Sequence, residues 1–485
     1  MQIDKDLLSI QEARDLAAQA YEAQLIWGKA SQERVDRVCA AMAEAGYQAS
    51  DRLGRMANEE TGFGVAAHKK LKNELASRIL WESIRDVKTV GVVNHDPVKR
   101  LYEIAWPMGV VAALTPSTNP TSTVFSKAIS AVKARDAIVV APHPSAVNCS
   151  NEAARTLQQA AENAGAPAGL INCMRNISLA GTQELMKHKR VRVILATGGE
   201  GMVKAAHSVG KPAFGVGPGN VPAYVDRSAD LEKAARYIVS SKSFDYSLIC
   251  ASEQSVIADK PIAAKLAQLM QANGAYFADE KTAGILRHLL FNPDGSMNVA
   301  TVGKSPQFLA QLGGFDVPAD ARIIVVRLNR VGPEEPLSRE KLTTVLGWYE
   351  EEGWEKGCER CIELIYFGGR GHSLVLHATD QNVIMAFGLE KPVFRILVNT
   401  MSTLGAVGLT TGVMPSLTLG AGGEGGSVTG DNITVHHLFN IKRLAYETTP
   451  PPEAAMVGSG FSSGPTQQEL ESIVRQVMLE ALAQK

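Results

Sequence analysis

The chain has 485 residues, with 49 Lys and Arg against 50 Asp and Glu, a formal net charge of −1, 45% hydrophobic and 20% charged residues. These are the proportions of a globular protein with room for two or three domains and large cores, and the balanced charge excludes an electrostatic footprint for nucleic acid or an anionic membrane surface. No run approaches the ~20 apolar residues of a membrane-spanning helix. Residues 1–6 lack the basic start and apolar core of a signal peptide, so the expected location is the cytosol or something inside it. Six cysteines, at 39, 149, 173, 250, 358 and 361, are too sparse for a disulfide framework and read as thiols in a reducing compartment.

In chain order, residues 9–87 are rich in Ala, Glu, Lys and Leu and contain no Pro, which predicts a run of amphipathic helices. From residue 104 the texture changes. The apolar runs 110–114, 137–141 and 191–195 read as buried parallel strands. Each is followed by a turn-forming stretch, and a helix is expected over 151–164. Strands alternating with helices imply a doubly wound α/β sheet, whose ligands sit beyond the C-terminal ends of the strands. A second α/β segment covers 229–414, with strands expected at 254–257, 321–326 and 373–377; residues 415–447 are Gly-rich and then β-like. The resulting division is 1–228, 229–414, 415–447, a Pro/Gly/Ser-rich linker at 448–465, and a terminal segment 466–485. In that segment Thr466 and Glu469 form a capping box. Leu470, Ile473, Val474, Val477, Met478, Ala481 and Leu482 make one apolar stripe on a helix over 466–483. A helix this short is marginal alone. Its stripe is expected to be covered by the parent domain or, as the long linker favours, by a separate partner.

Cys250 stands in Phe244-Asp245-Tyr246-Ser247-Leu248-Ile249-Cys250-Ala251-Ser252-Glu253-Gln254. By composition a Cys after Leu-Ile is a small buried hydrophobe. There are two glycine turns: Thr197-Gly198-Gly199-Glu200-Gly201, which follows an expected strand, opens a helix and could face a phosphate, and Gly215-Val216-Gly217-Pro218-Gly219-Asn220, a tight turn before Ala223-Tyr224-Val225. The stretch 420–425 matches G-x-G-x-x-G by letter. It precedes the β-like Ser427-Val428-Thr429 rather than a helix, so it is set aside as a phosphate motif.

Taken together, Pro107-Met108-Gly109-Val110-Val111-Ala112-Ala113-Leu114-Thr115-Pro116-Ser117-Thr118-Asn119-Pro120, Ala196-Thr197-Gly198-Gly199, the 215–220 turn and 244–254 resemble the ordered motifs of the aldehyde dehydrogenase superfamily over about 9–446. The resemblance implies a Rossmann-like cofactor domain, an α/β catalytic domain, and a β extension, with a hairpin near 95–108, that builds dimers or tetramers. It places Cys250 on the nucleophile and Asn119 on the oxyanion-stabilising amide. Thr115, Pro116, His143, Thr197, Gly198, Gly199, Val216 and Gly217 fall on the cofactor side, and Glu340 on the carboxylate that holds the nicotinamide ribose. Around Glu340 the sequence Thr343-Thr344-Val345 departs from the family's Phe-Gly-Pro.

The residue types suit that chemistry: a thiolate attacks the aldehyde carbon, the Asn119 amide and the Cys250 N–H receive the oxyanion, hydride leaves to NAD, and a thioester remains. Hydrolytic members carry a glutamate about thirty residues before the cysteine; here that place falls on Val216 and its neighbours, none acidic. Together with Pro142-His143-Pro144, where His143 stands for a lysine that often contacts the adenosine ribose, and Cys-Ala-Ser-Glu after the nucleophile, this resembles the coenzyme A-acylating branch. That branch includes enzymes packaged in bacterial microcompartments, and 466–485 resembles their encapsulation peptides, which bind shell or cargo proteins. The expected substrate is a short aldehyde, propionaldehyde over acetaldehyde. Hydrolysis to the free acid and a non-catalytic assembly scaffold stand as alternatives.

The other candidates have bland readings beside them. Cys358 and Cys361, at i and i+3, lack the second pair a zinc site needs and read as packing. His372 resembles a Gly-His-Ser/Thr element near the acylating active site, or is a structural histidine at a strand start. His436-His437 reads as structural or as a subunit contact, and Lys127 and Lys133 as solvated helix residues. Glu253 lies close to the nucleophile, but the resemblance does not make it the base.

Overall fold

The computed structural model describes residues 4–452 and 466–483, without the side chains of Val216 and 478–483; the stretch 453–465 of the expected linker lies outside the described residues. Among the described residues the strands are β1 Gly91–Asp96, β2 Leu101–Pro107, β3 Val110–Thr115, β4 Ala137–Pro142, β5 Ile171–Cys173, β6 Val191–Thr197, β7 Ala213–Val216, β8 Val221–Val225, β9 Glu253–Asp259, β10 Ala275–Phe277, β11 Ile323–Arg327, β12 Val345–Glu351, β13 Leu374–His377, β14 Ile396–Val398 and β15 Phe439–Ala445.

The chain divides into two compact units, 1–91 with 105–440 and 92–104 with 441–485. The first holds two parallel sheets flanked by helices. One has five strands in the order β5-β4-β3-β6-β7, and the other seven in the order β10-β11-β12-β9-β8-β13-β14. The uninterrupted apolar runs in β3 and β4 follow from this: every residue of both strands is buried, because helices cover both faces. In the five-stranded sheet the chain winds outward from β3 through β4 to β5, then crosses back to β6 and β7. This leaves a switch point between β3 and β6. The boundary read at 228/229 falls after β8, but β8 is hydrogen-bonded to β9 and β13 of the larger sheet. The chain therefore changes sheets between Val216 and Val221.

The N-terminal helices form as their pattern predicts. Lys5–Trp27 starts at Asp4, whose carboxylate accepts from the Asp6 and Leu7 N–H groups, and it buries Ala13, Ala17, Ala20 and Ala23. The reading of Lys127 and Lys133 as solvated is corrected. Helix Pro120–Lys133 is buried on every side, enclosed between the five-stranded sheet and the N-terminal helices. Lys127 Nζ donates to the Leu114 and Leu195 carbonyls at 2.6 and 2.9 Å. Lys133 Nζ donates to Asp36 Oδ1 at 2.5 Å and to the Arg85 carbonyl at 2.8 Å. Residues 427–429, read as β-like, form no strand. The Gly420 and Gly422 N–H groups, bonded to the Asp431 and Thr429 carbonyls at 2.8 Å each, close a narrow loop there instead.

The second unit is built on a three-stranded sheet, β1-β2-β15, and carries helix Gln467–Ala483. The capping box is present: Thr466 N–H donates to Glu469 Oε2 at 2.7 Å, and Glu469 N–H to Thr466 Oγ1 at 3.3 Å. Leu470, Ile473, Val474 and Val477 of its stripe are 50, 53, 54 and 58% exposed. No helix among the described residues is long and apolar enough to cross a membrane.

Candidate active site

The residues read as cofactor-binding, Glu340 excepted, lie at the C-terminal edge of the five-stranded sheet, around its switch point. Thr115 ends β3 and Pro116 follows it; Thr197 ends β6, ahead of Gly198 and Gly199; Val216 ends β7 and leads into Gly217. The exposed His143 follows β4, its Nδ1 2.8 Å from Ser145 Oγ. Two features leave polar groups unused here. Thr115 Oγ1 is buried without a hydrogen-bond partner, and helix Glu200–His207 starts at Gly199 with no side-chain cap. A nucleotide's phosphate and ribose oxygens suit such an edge, since uncapped N–H groups at a helix start point toward anions.

The nucleophile candidate lies at the opposite kind of edge, where strands of the seven-stranded sheet begin. Cys250 is half-buried in a turn just before β9, held by Ser252, whose N–H and Oγ both donate to the Ile249 carbonyl at 2.8 and 2.6 Å. The turn Gly217–Asn220 leads into β8, beside β9. A Cβ on Gly219 would overlap the Cys250 carbonyl oxygen and lie 3.1 Å from the His372 ring, so only glycine permits this approach. Glu340, on the lead-in to β12, accepts the Gly219 N–H at 2.9 Å, and His372 stands at the start of β13. Four strand starts thus bring Gly219, Cys250, Glu340 and His372 together.

Their ionisation is set by withdrawal from water. The Cys250 thiol is pushed up to about 12, with the charge of Glu340 adding to the effect and Arg395 opposing it. Glu340 is pushed up to about 7 by burial, against the Gly219 N–H and the charges of Lys242 and Lys341. His372 is brought down to about 3 by burial and by Arg395, so its ring is neutral. Its Nδ1 lies 3.1 Å from Ser373 Oγ, while its buried Nε2 has no partner. Glu253 is also pushed up to about 7, but its Oε1 is committed to the Ser402 N–H at 2.9 Å.

Asn119 reaches this site from the five-stranded sheet, as the residue before helix Pro120–Lys133. Its Nδ2 donates to the Leu248 carbonyl at 3.2 Å and to Thr118 Oγ1 at 3.1 Å. The backbone before Cys250 is unusual: Asp245, Tyr246 and Ser247 have φ of 47°, 51° and 68°, all in the left-handed region. Each such residue costs of order 1 kcal/mol or more, and such outliers collect at functional sites. The run is held by the buried Asp245 carboxylate, which pairs with Lys69 and Lys72 and accepts the Val65 N–H at 2.6 Å.

Sequence reasoning passed over Arg395 altogether. It is 4% exposed and donates to Ser373 Oγ, to the Gly430 and Gly420 carbonyls, and to Asn432 Oδ1. It is the cation whose field acts on Cys250. No local motif marks it. Lys72 and Asp245 also went unassigned, although Asp245 stood inside the quoted 244–254 motif. Cys358 and Cys361 are buried on helix Gly353–Phe367, with Lys391 Nζ against the Cys358 sulfur. His437 caps a short turn through the Thr434 N–H at 3.1 Å.

The aldehyde dehydrogenase family model matches residues 7–276. Aldehyde-alcohol dehydrogenase 2 of Entamoeba histolytica is 41% identical over 424 residues, 86% of this chain and 49% of that protein. The chain therefore spans about half the length of the first curated relatives it matches. The crystal structure of an acetylating aldehyde dehydrogenase from Geobacillus thermoglucosidasius is 48% identical with a TM-score of 0.92, covering 93% of this chain and 100% of that one. A propionaldehyde dehydrogenase from the Clostridium phytofermentans fucose utilisation bacterial microcompartment is 27% identical with a TM-score of 0.81, covering 89% and 96%. By its sequence, its two parallel sheets and the position of Cys250 at their junction, this chain belongs to the aldehyde dehydrogenase family.

Proposed function

We propose that the chain is a coenzyme A-acylating aldehyde dehydrogenase that converts a short aldehyde, propionaldehyde in the first instance, to its acyl-CoA with reduction of NAD. The observation that carries this is the turn beside the nucleophile: Gly217-Pro218-Gly219-Asn220 approaches Cys250 as bare backbone, with no acidic residue where hydrolytic relatives keep their water-activating glutamate. Thr115, Pro116, His143, the Thr197–Gly199 turn, Val216 and Gly217 would hold the nucleotide portions at the sheet edge. Bound NAD supplies the hydride acceptor.

The chain's own residues do the rest. Cys250 gives its proton to solvent and, as the thiolate, attacks the aldehyde carbon. The Asn119 amide and the Cys250 N–H receive the oxyanion, where one donor is typically worth about 10²–10³ in rate. When hydride departs, the acyl group remains as a thioester on Cys250, and the thiol of coenzyme A accepts it. His372, whose buried Nε2 has no partner, is the side chain proposed to face the incoming thiol. Hydrolysis is the second reading, favoured by one observation: the Glu340 carboxylate accepts the Gly219 N–H at 2.9 Å, beside the Cys250 turn.

The deciding experiment is NADH formation from propionaldehyde and NAD with and without coenzyme A, using Cys250→Ala as control. Turnover that requires coenzyme A, yields propionyl-CoA and vanishes in the variant supports acylation. Catalytic NADH formation without coenzyme A, with propionate as product, overturns it in favour of hydrolysis. The exposed stripe on helix Gln467–Ala483 supports a location inside a bacterial microcompartment, with 466–485 binding shell or cargo protein. The β1-β2-β15 sheet is read as the surface that builds a dimer or tetramer.

A further inference from the structure

We propose that Lys72, seated on Asp245, is a positioning residue that fixes which end of the Asn119 side chain faces the reacting carbonyl. The inference rests on the reading of Asn119 as an oxyanion donor. Lys72 lies on helix Ala66–Glu74, far from Cys250 in sequence, and its side chain is 3% exposed, beside an Asp245 side chain at 0%. Its Nζ is 2.5 Å from Asn119 Oδ1 and also touches Asp245 Oδ2. One turn earlier on the same helix, Lys69 Nζ donates to the Thr118 carbonyl at 3.1 Å and to Asp245 Oδ2 at 3.3 Å. Both sides of the Asn119 peptide are thereby tied to one carboxylate.

A carboxamide presents an oxygen and an NH₂ of nearly the same size, so packing alone cannot choose between its two orientations. An ammonium can. It carries donors and no acceptor, so only Oδ1 can face Lys72, and Nδ2 must point away. Away from Lys72 means toward the nucleophile turn, where Nδ2 now rests on the Leu248 carbonyl, two residues before Cys250. The backbone of Asn119 is occupied separately: its carbonyl accepts from the Thr123 N–H at 3.1 Å and Thr123 Oγ1 at 2.6 Å, closing the first turn of helix Pro120–Lys133. The side chain is thus free for the site while the main chain anchors it.

Asp245 makes the arrangement tolerable. An ammonium this deeply buried is strongly disfavoured without a counter-charge, and the carboxylate provides it. Delivering that carboxylate requires the left-handed run Asp245–Ser247, which also accounts for the glycine opposite: Gly64, at φ 72°, has no space for a Cβ beside Asp245 and Leu248.

The test is a double-mutant cycle on steady-state NADH formation from propionaldehyde, NAD and saturating coenzyme A, comparing wild type, Lys72→Met, Lys72→Arg, Asn119→Ala and the double variant. The expected result is that Lys72→Met lowers kcat about tenfold or more while KM for propionaldehyde stays within about twofold. Lys72→Arg, which keeps a donor-only cation, recovers most of the rate. In the Asn119→Ala background, Lys72→Met has no further effect. If the two losses multiply, Lys72 acts through the fold and the inference is overturned. If Asn119→Ala alone leaves kcat unchanged, it is the oxyanion reading that fails. Should Lys72→Met not fold, Lys72→Gln takes its place in the same cycle, because glutamine can face either end of the Asn119 amide; an unchanged kcat there overturns the inference.

Discussion

The Gly219 backbone N–H donates to Glu340 Oε1 at 2.9 Å, tying the lead-in of β8 to that of β12 directly beside the Cys250 turn. Glu340 is pushed up to about 7 and its charge raises the Cys250 thiol, so the two groups oppose each other's ionisation. Glu340→Gln removes the charge while keeping the shape. At about pH 8.5, where Glu340 is ionised, Cys250 in the variant alkylates with iodoacetamide severalfold faster than in wild type; near about pH 6, where Glu340 is already protonated, the rates converge. Peptide-resolved mass spectrometry reads the rates. Equal rates at both values would mean that Glu340 exerts no field on the thiol.

Gly219 itself is predicted to tolerate no side chain. A Cβ there meets the Cys250 carbonyl oxygen and the His372 ring, and the backbone oxygen cannot move without carrying the nucleophile turn with it. Gly219→Ala should lower kcat by on the order of 10²-fold, the scale of a misplacement of about 1 Å at a reacting centre. NADH formation reads the loss, and a thermal melt separates it from unfolding. A variant with wild-type kcat would show that the turn can retreat from Cys250.

Arg395 makes its main contribution to stability. Its guanidinium satisfies Ser373, Gly420, Gly430 and Asn432 at once, and its removal leaves several buried acceptors unpaired. Arg395→Met is expected to lose roughly 3 kcal/mol or more in denaturant melts. Arg395→Lys, which keeps the charge but not the fork, should lose less. Equal losses would assign the effect to the guanidinium's hydrogen bonds alone, with nothing from its charge.

Deleting 466–485 should leave NADH formation within about twofold of wild type, because the stripe of that helix is exposed. It should abolish co-localisation with co-expressed microcompartment shell proteins. A truncated enzyme that loses activity or unfolds would instead make the helix part of the catalytic body.

What the sequence determined by itself was whatever neighbouring residues encode. The unbroken apolar runs of β3 and β4 announced strands buried on both faces, Thr466 and Glu469 announced a helix start, and the 244–254 motif singled out Cys250. What only the tertiary structure decided was which distant segments share an edge. The placement of β8 in the larger sheet, and the meeting of Gly219, Glu340 and His372 around Cys250, follow from strand order, which no local pattern carries. Lys127 and Lys133 read as solvated because charge usually means water; enclosure of their helix between a sheet and other helices reversed that. Arg395, Lys72 and Asp245 acquire their roles from burial, which turns an ordinary ion pair or hydrogen bond into one that orients a neighbour or shifts a thiol, and burial is a property of the assembled fold rather than of any stretch of sequence.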